Sequence, residues 1–155
     1  MDDERFMQLA IAKAREGIAH GQSPFAACLV RAGQVVACCH NHVYAATDPT
    51  AHAEVVTLRA ASQALRTIDL VGCTIYSTTE PCPMCFAAIH WAHVDRIVYG
   101  ASIADAAAAG FRELAISNAQ VKQLGGAALA LKPGVLSAEA RELFALFRAA
   151  GGRCY

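Results

Sequence analysis

Apolar residues recur along this chain with two periods, and the periods alternate. Between Asp3 and His20 they fall at Phe6, Leu9, Ala10, Ala14, Gly17 and Ile18. That spacing predicts a helix, capped by Asp2 or Asp3 and ended by the loop His20 to Pro24. The runs Phe25 to Arg31 and Gln34 to His40, joined by Ala32-Gly33, predict a β-hairpin. A polar loop, Asn41 to Thr47, leads to Asp48-Pro49, a cap followed by a proline suited to the first helical position, so a second helix is predicted from about Pro49 to Leu65. Further strands are predicted over Cys73 to Thr79, Arg96 to Ser102 and Ala128 to Leu131, with a turn entering a short helix over Pro81 to Ala92. Helices are predicted over Gly110 to Leu124 and Ser137 to Ala150, the latter with Leu143, Phe144 and Phe147 on one face. Strands alternating with helices predict an α/β fold, a three-layer α/β/α sandwich in which helices cover both faces of a central five-stranded mixed sheet. The pattern holds no repeat, low-complexity segment or linker, so residues 1–155 are expected to form one domain.

Composition narrows the classes of function. Apolar residues make up 55% of the chain and charged ones 17%. That leaves little polar material to cover an isolated monomer, and a homo-oligomer is expected. Lys plus Arg and Asp plus Glu number 13 each, with no basic run, so the electrostatic footprint of a nucleic-acid or anionic-membrane binder is missing and a small, weakly charged substrate fits better. The start, Met1-Asp2-Asp3-Glu4, is acidic where a secretory signal is basic, and no apolar stretch approaches the roughly 18 residues of a membrane span. A cytoplasmic protein without membrane contact is expected. The seven cysteines are an odd set for a disulfide framework. Cys28 and Cys73 sit within apolar runs and read as small core residues, whereas Cys82 and Cys85 have a spacing with chemical meaning.

His52 and Glu54 lie at the opening of one predicted helix, and Cys82 and Cys85, three residues apart, at the opening of another. A helix N-terminus presents free N–H groups and partial positive charge, which favours the thiolates that bind metal. Three His and Cys ligands leave a tetrahedral zinc one open position, the arrangement of a catalytic site. A Cys-x-x-Cys pair also occurs in thioredoxin-like redox sites and as half of a structural zinc site. However, Pro81 precedes the first cysteine, and the chain has no second pair to complete four ligands. Jointly, His-Ala-Glu at 52–54 and Pro-Cys-Pro-Met-Cys at 81–85 form the H-x-E…P-C-x-x-C signature of zinc-dependent nucleobase deaminases. One Zn2+ per chain is expected. Glu54, close to the metal without ligating it, would carry a proton from the attacking water to a ring nitrogen and then to the leaving amine.

The stretches Asn41 to Val55, Glu80 to Ala92 and Asp105 to Phe111, with the ending Cys154-Tyr155, resemble the guanine deaminases of the cytidine-deaminase superfamily. The resemblance runs from Pro24 to the C-terminus. It implies the cytidine-deaminase-like fold and hydrolysis of guanine to xanthine and ammonia. It also implies a homodimer whose C-terminal segment, about 137–155, can cross over to close the partner's site. By the same resemblance Asn41 hydrogen-bonds the purine, Phe25, Trp91 and Phe111 are pocket positions, Tyr155 lids the site, and Ala53 counts among the substrate contacts. One departure stands out. Arg112-Glu113 replaces two successive acids. Glu113 keeps a carboxylate able to accept from the N1–H and amino group of guanine, while Arg112 pairs with a surface acid or signals another ring.

Other readings remain open at this level. A tRNA adenosine deaminase shares the signature and the fold but needs a basic surface that this composition lacks. Cytosine or an ammeline-type triazine differs from guanine only through pocket shape. A non-catalytic zinc or redox-binding module has no need of a carboxylate at Glu54.

Overall fold

The computed structural model describes residues 2–155. In chain order the elements are α1 (Asp3–Ala19), β1 (Ala26–Arg31), β2 (Gln34–His40), α2 (Val43–Ala46), α3 (Ala53–Leu65), β3 (Cys73–Thr79), α4 (Pro83–Trp91), β4 (Arg96–Ala101), α5 (Ile103–Ala108), α6 (Asn118–Gly125), β5 (Ala130–Lys132) and α7 (Ser137–Ala149). The strands form a five-stranded sheet in the order β2-β1-β3-β4-β5. β1 is antiparallel to β2 and β3, while β3, β4 and β5 run parallel.

Alternation along the strands divides the core into two layers. Ala27 and Leu29 of β1, Cys73 and Ile75 of β3 and Ile97 of β4 share one cluster with Ala53, Leu58 and Ala61 of α3 and Phe86 and Ile89 of α4. Ala26, Cys28, Val30, Tyr76 and Val98 point to the opposite face, against Phe6, Met7, Ala10 and Ala14 of α1 and Leu143 of α7. The three-layer mixed sandwich expected from the sequence is therefore the observed one. A third cluster, built on Phe111, Phe144 and Phe147, also packs Phe25 and Tyr155. Among the described residues no helix is long and apolar enough to cross a membrane.

Buried charge pins α1 to the sheet. The Asp2 side chain caps the helix by accepting from Arg5 N–H at 3.2 Å, and Asp3 turns inward. Its carboxylate accepts from the Tyr76 hydroxyl at 2.9 Å, from both Arg96 terminal nitrogens at 2.9 Å and from Lys132 Nζ at 2.6 Å. These contacts link α1 to β3, β4 and β5. The Arg96 guanidinium, followed by Lys132 and Tyr76, holds the Asp3 carboxyl far below the usual range against the opposing effect of burial.

Four features differ from the periodic reading. The helix expected from Pro49 begins at Ala53, because Asp48 caps a tight turn instead. Its side chain accepts from Thr50 N–H at 2.8 Å and Thr50 O–H at 2.7 Å, and its carbonyl from Ala51 N–H at 3.1 Å. Within the expected loop 41–47, residues 43–46 coil into α2. The single helix expected over Gly110 to Leu124 is also absent. Gly110 sits at φ +110°, a left-handed value that ends the segment following α5. Two capping boxes, Ser102 with Asp105 and Ser117 with Gln120, start α5 and α6 on either side of an irregular stretch. The last strand lies at 130–132 rather than 128–131.

Candidate active site at the C-terminal end of β3

β3 runs out at Thr79 into Glu80-Pro81-Cys82, and there, beyond the carboxyl end of a parallel strand, the chemistry-bearing residues gather. Glu80 fixes this exit. One carboxylate oxygen accepts from Ile103 N–H, the first residue of α5, at 3.0 Å, and the other from Asn118 N–H, the first of α6, at 2.8 Å. A negative group at two helix N-termini is favourably placed. Asn118 returns a hydrogen bond from Nδ2 to the Pro81 carbonyl at 2.6 Å, so the loop that delivers Cys82 is held from both sides.

Cys82 is the residue preceding α4, with Pro83 at the first helical position, and Cys85 lies one turn on. His52 occupies the equivalent place before α3, in an extended conformation with φ −62° and ψ 153°. Two helix starts thus converge. His52 Nδ1 lies 3.6 Å from Cys82 Sγ and 3.5 Å from Cys85 Sγ, and the three donor atoms fall within 4.8 Å of one another. A tetrahedral zinc with bonds of about 2.3 Å to sulfur and 2.05 Å to nitrogen separates N from S by about 3.6 Å. The donor set and its spacing therefore fit the ion, with one position left for a fourth ligand.

Of the three donors, Cys82 alone is shifted toward the form that binds a cation. The hydrogen bond from Cys85 lowers the Cys82 pKa to about 4, and His52 assists. Cys85, the donor in that pair and deeply buried, is pushed up. For His52, burial is the largest influence and favours the neutral ring, yet the Cys82 hydrogen bond and the charges of Glu54, Cys82 and Glu113 outweigh it and raise its pKa. Glu54 is 6% exposed and accepts from the Ser77 hydroxyl at 2.9 Å. Burial first, and then the negative charge of Cys82, raise its pKa.

His52, Glu54 and Cys82 line a cavity of about 240 Å³, below the roughly 300–1,000 Å³ that accommodates drug-sized ligands. Phe25, Asn41, Phe111, Glu113 and Tyr155 also line it. Asn41 is fully buried and closes the mouth of the hairpin, its N–H donating to the Phe25 carbonyl at 2.8 Å. Val43 N–H donates to its side-chain oxygen at 3.0 Å, which fixes the orientation of the amide, and Nδ2 donates to the Tyr155 hydroxyl at 2.9 Å. The Tyr155 ring stands edge-on to Phe111 and Tyr44, at 5.7 Å and 83° to each, and its carbonyl accepts from Arg112 N–H at 3.0 Å. Within one chain, then, the last residue reaches that chain's own cavity. Glu113 is half-buried, and burial, with Cys82 and Glu54 next, lifts its pKa to about 7.

Two expected contacts lie elsewhere. Trp91, at the last turn of α4, is 78% exposed and does not line the cavity. Ala53 is fully buried, with its side chain in the core beneath the site. Arg112 lines the rim; it is exposed, and among the described residues its guanidinium has no ion-pair partner. The periodic reading missed Ser77, Thr79 and Glu80. A signal existed for them: β3 places hydroxyls and a carboxylate, all buried, just where its apolar run ends.

Comparison with known proteins agrees with this geometry. Residues 1–101 match the family model of the cytidine and deoxycytidylate deaminase zinc-binding region. The chain is 43% identical to a guanine deaminase of Bacillus subtilis over 112 residues, 72% of each chain. It is 35% identical over 101 residues to a tRNA-specific adenosine deaminase of Aquifex aeolicus, covering 65% of this chain and 67% of that one. The solved guanine deaminase from Nitrosomonas europaea superposes with a TM-score of 0.86 at 29% identity, covering 94% of this chain and 84% of its own.

Proposed function

This chain belongs to the cytidine and deoxycytidylate deaminase family, and on that premise we propose that it hydrolyses the amino group of a free nucleobase, guanine first, to give xanthine and ammonia. The observation that carries the choice of substrate is the small cavity with the Glu113 carboxylate on its wall and Tyr155 across its mouth. Such a space suits one fused ring system. An extended RNA strand needs an open path and a basic surface, and this chain has net charge zero. The relative from Aquifex aeolicus keeps tRNA adenosine deamination as the alternative to be tested.

Zinc held by His52, Cys82 and Cys85 would activate the attacking water by lowering its pKa toward about 7. Glu54 takes a proton from that water and hands it to a ring nitrogen. A second proton passes through the same carboxyl to the departing amine, so guanine and water become xanthine and ammonia with atoms balanced. Asn41, already bonded through one N–H and one lone pair, has one further N–H and one further lone pair for the base edge. Ionised Glu113 accepts from N1–H and the amino group. Phe111 and Phe25, packed edge to face against each other at 4.8 Å, give the ring one apolar wall.

The same reading has the protein working as a homodimer. Met84 and Trp91, seven residues apart and so on one face of α4, are 38% and 78% exposed, and a second copy would cover them. Glu113→Gln tests the assignment of substrate. Guanine turnover should fall about 10-fold or more, the weight of a charge-assisted hydrogen bond, with zinc content unchanged. An unaltered kcat/KM for guanine would remove Glu113 from the substrate contacts.

A further inference from the structure

Ser77 occupies the β3 position that faces α3 and α4, in register with Ala27 on β1 and Tyr99 on β4 and one alternation beyond Ile75. It is 2% exposed. Alanine would fill this place in an apolar layer, and a hydroxyl buried so deeply is costly unless it is bonded. The hydroxyl donates to Glu54 Oε1 at 2.9 Å. Ser77 does not line the cavity, whereas Glu54 does. The bond therefore reaches the carboxylate from the sheet behind it, and the carboxylate's other edge meets the substrate space.

Two consequences follow for a proton carrier. First, a glutamate side chain has three rotatable bonds, and a contact from behind restricts both its rotamer and the plane of its carboxylate. Second, a serine hydroxyl has one hydrogen, committed here to Oε1. When Glu54 holds a proton, the oxygen that is not already accepting is the one left to carry it. We propose that Ser77 is a positioning residue for the proton relay: its hydroxyl, held on the rigid central strand, aims one oxygen of Glu54 at the reacting atoms and steers the carried proton onto it. The proposal rests on the reading of Glu54 as the proton carrier.

The test uses zinc-loaded protein and guanine. Ser77→Ala should keep its zinc and its KM and stay folded with a lowered melting temperature, while kcat falls about 10- to 100-fold, the span of a hydrogen bond to a charged group. Ser77→Thr, which restores a hydroxyl, should recover most of that loss. Ser77→Cys, close in volume but a weak donor, should fall like alanine, and it replaces either variant that fails to fold. An unchanged kcat in folded Ser77→Ala or Ser77→Cys overturns the proposal, as does a loss confined to KM or a folded threonine variant without recovery. Wild-type protein that releases ammonia from no aminated base would instead overturn the functional reading beneath it, so the two failures are distinguishable.

Discussion

Replacing Glu54 by glutamine separates the chemistry from everything that supports it. The side chain is 6% exposed, and its Oε1 accepts from Ser77 at 2.9 Å. A glutamine oxygen can accept the same bond, so no buried group loses its partner, and the stability change should stay below about 1 kcal/mol, or roughly 2–4 °C in a chain of this size. The amide cannot carry a proton. Loss of a positioned general acid and base costs about 10²- to 10⁴-fold, or some 2.7–5.5 kcal/mol of barrier. His52, Cys82 and Cys85 are untouched, so zinc should remain at about one per chain. The assay pairs metal analysis and thermal melting with ammonia release from guanine. Turnover within tenfold of wild type would refute the proton relay. Loss of zinc in the same variant would make Glu54 a ligand rather than a carrier.

Further expectations concern the frame around the site. Asp3→Asn removes the charge shared by Arg96 and Lys132, and should cost about 2–3 kcal/mol at pH 7 by denaturant unfolding. That is the lower end for a broken buried pair, because the Arg96 and Lys132 side chains are 21% and 49% exposed. The folded Asp3 pKa is lowered, so its contribution is complete above the unfolded value of about 3.9 and is lost as pH falls through that value toward the folded one. The wild-type advantage should therefore shrink below about pH 4, and a difference that stays constant to pH 2 would contradict the network. In Gly152→Ala the new Cβ would overlap the Phe147 ring. Displacement of the chain segment that bears Tyr155 should raise KM for guanine about tenfold, the weight of modest overpacking, with zinc unaffected. An unchanged KM would detach Tyr155 from substrate binding. Trp91→Ser should leave the melting temperature of the monomer unchanged and weaken self-association about 30-fold or more by sedimentation, as an interface tryptophan does. Equal association would move the dimer contact away from α4.

How much of this was legible in the sequence depended on whether the chemistry acts through residue type or through direction. The metal group was legible because zinc demands particular atoms, and His52, Cys82 and Cys85 carry them at the starts of apolar helices. The layer order was legible because short apolar strand runs alternate along the chain with helical periods, which calls for helices on both faces of a sheet. The start of α3 was misplaced because Asp48-Pro49 has the chemistry of a helix cap, yet Thr50 takes the Asp48 oxygen first. The segment after Gly110 read as helix because its apolar residues keep a helical spacing. The break there depends on a left-handed glycine and a capping serine that periodicity does not weigh. Trp91 could not be oriented, because α4 is apolar nearly all round and offers no polar face to set it against. Ser77 acts only through the face that β3 turns toward Glu54, a direction that no residue count contains.

The central claim is that a zinc-assisted proton relay acts on a free guanine ring. Its most direct test is ammonia release by the zinc-loaded protein from guanine, adenine, cytosine, ammeline, their nucleosides and a tRNA anticodon stem-loop, compared as kcat/KM. The account predicts that guanine leads the panel, that its product is xanthine, and that chelation of the metal abolishes the signal. Release from the stem-loop alone, or from guanine at full rate without metal, would contradict it.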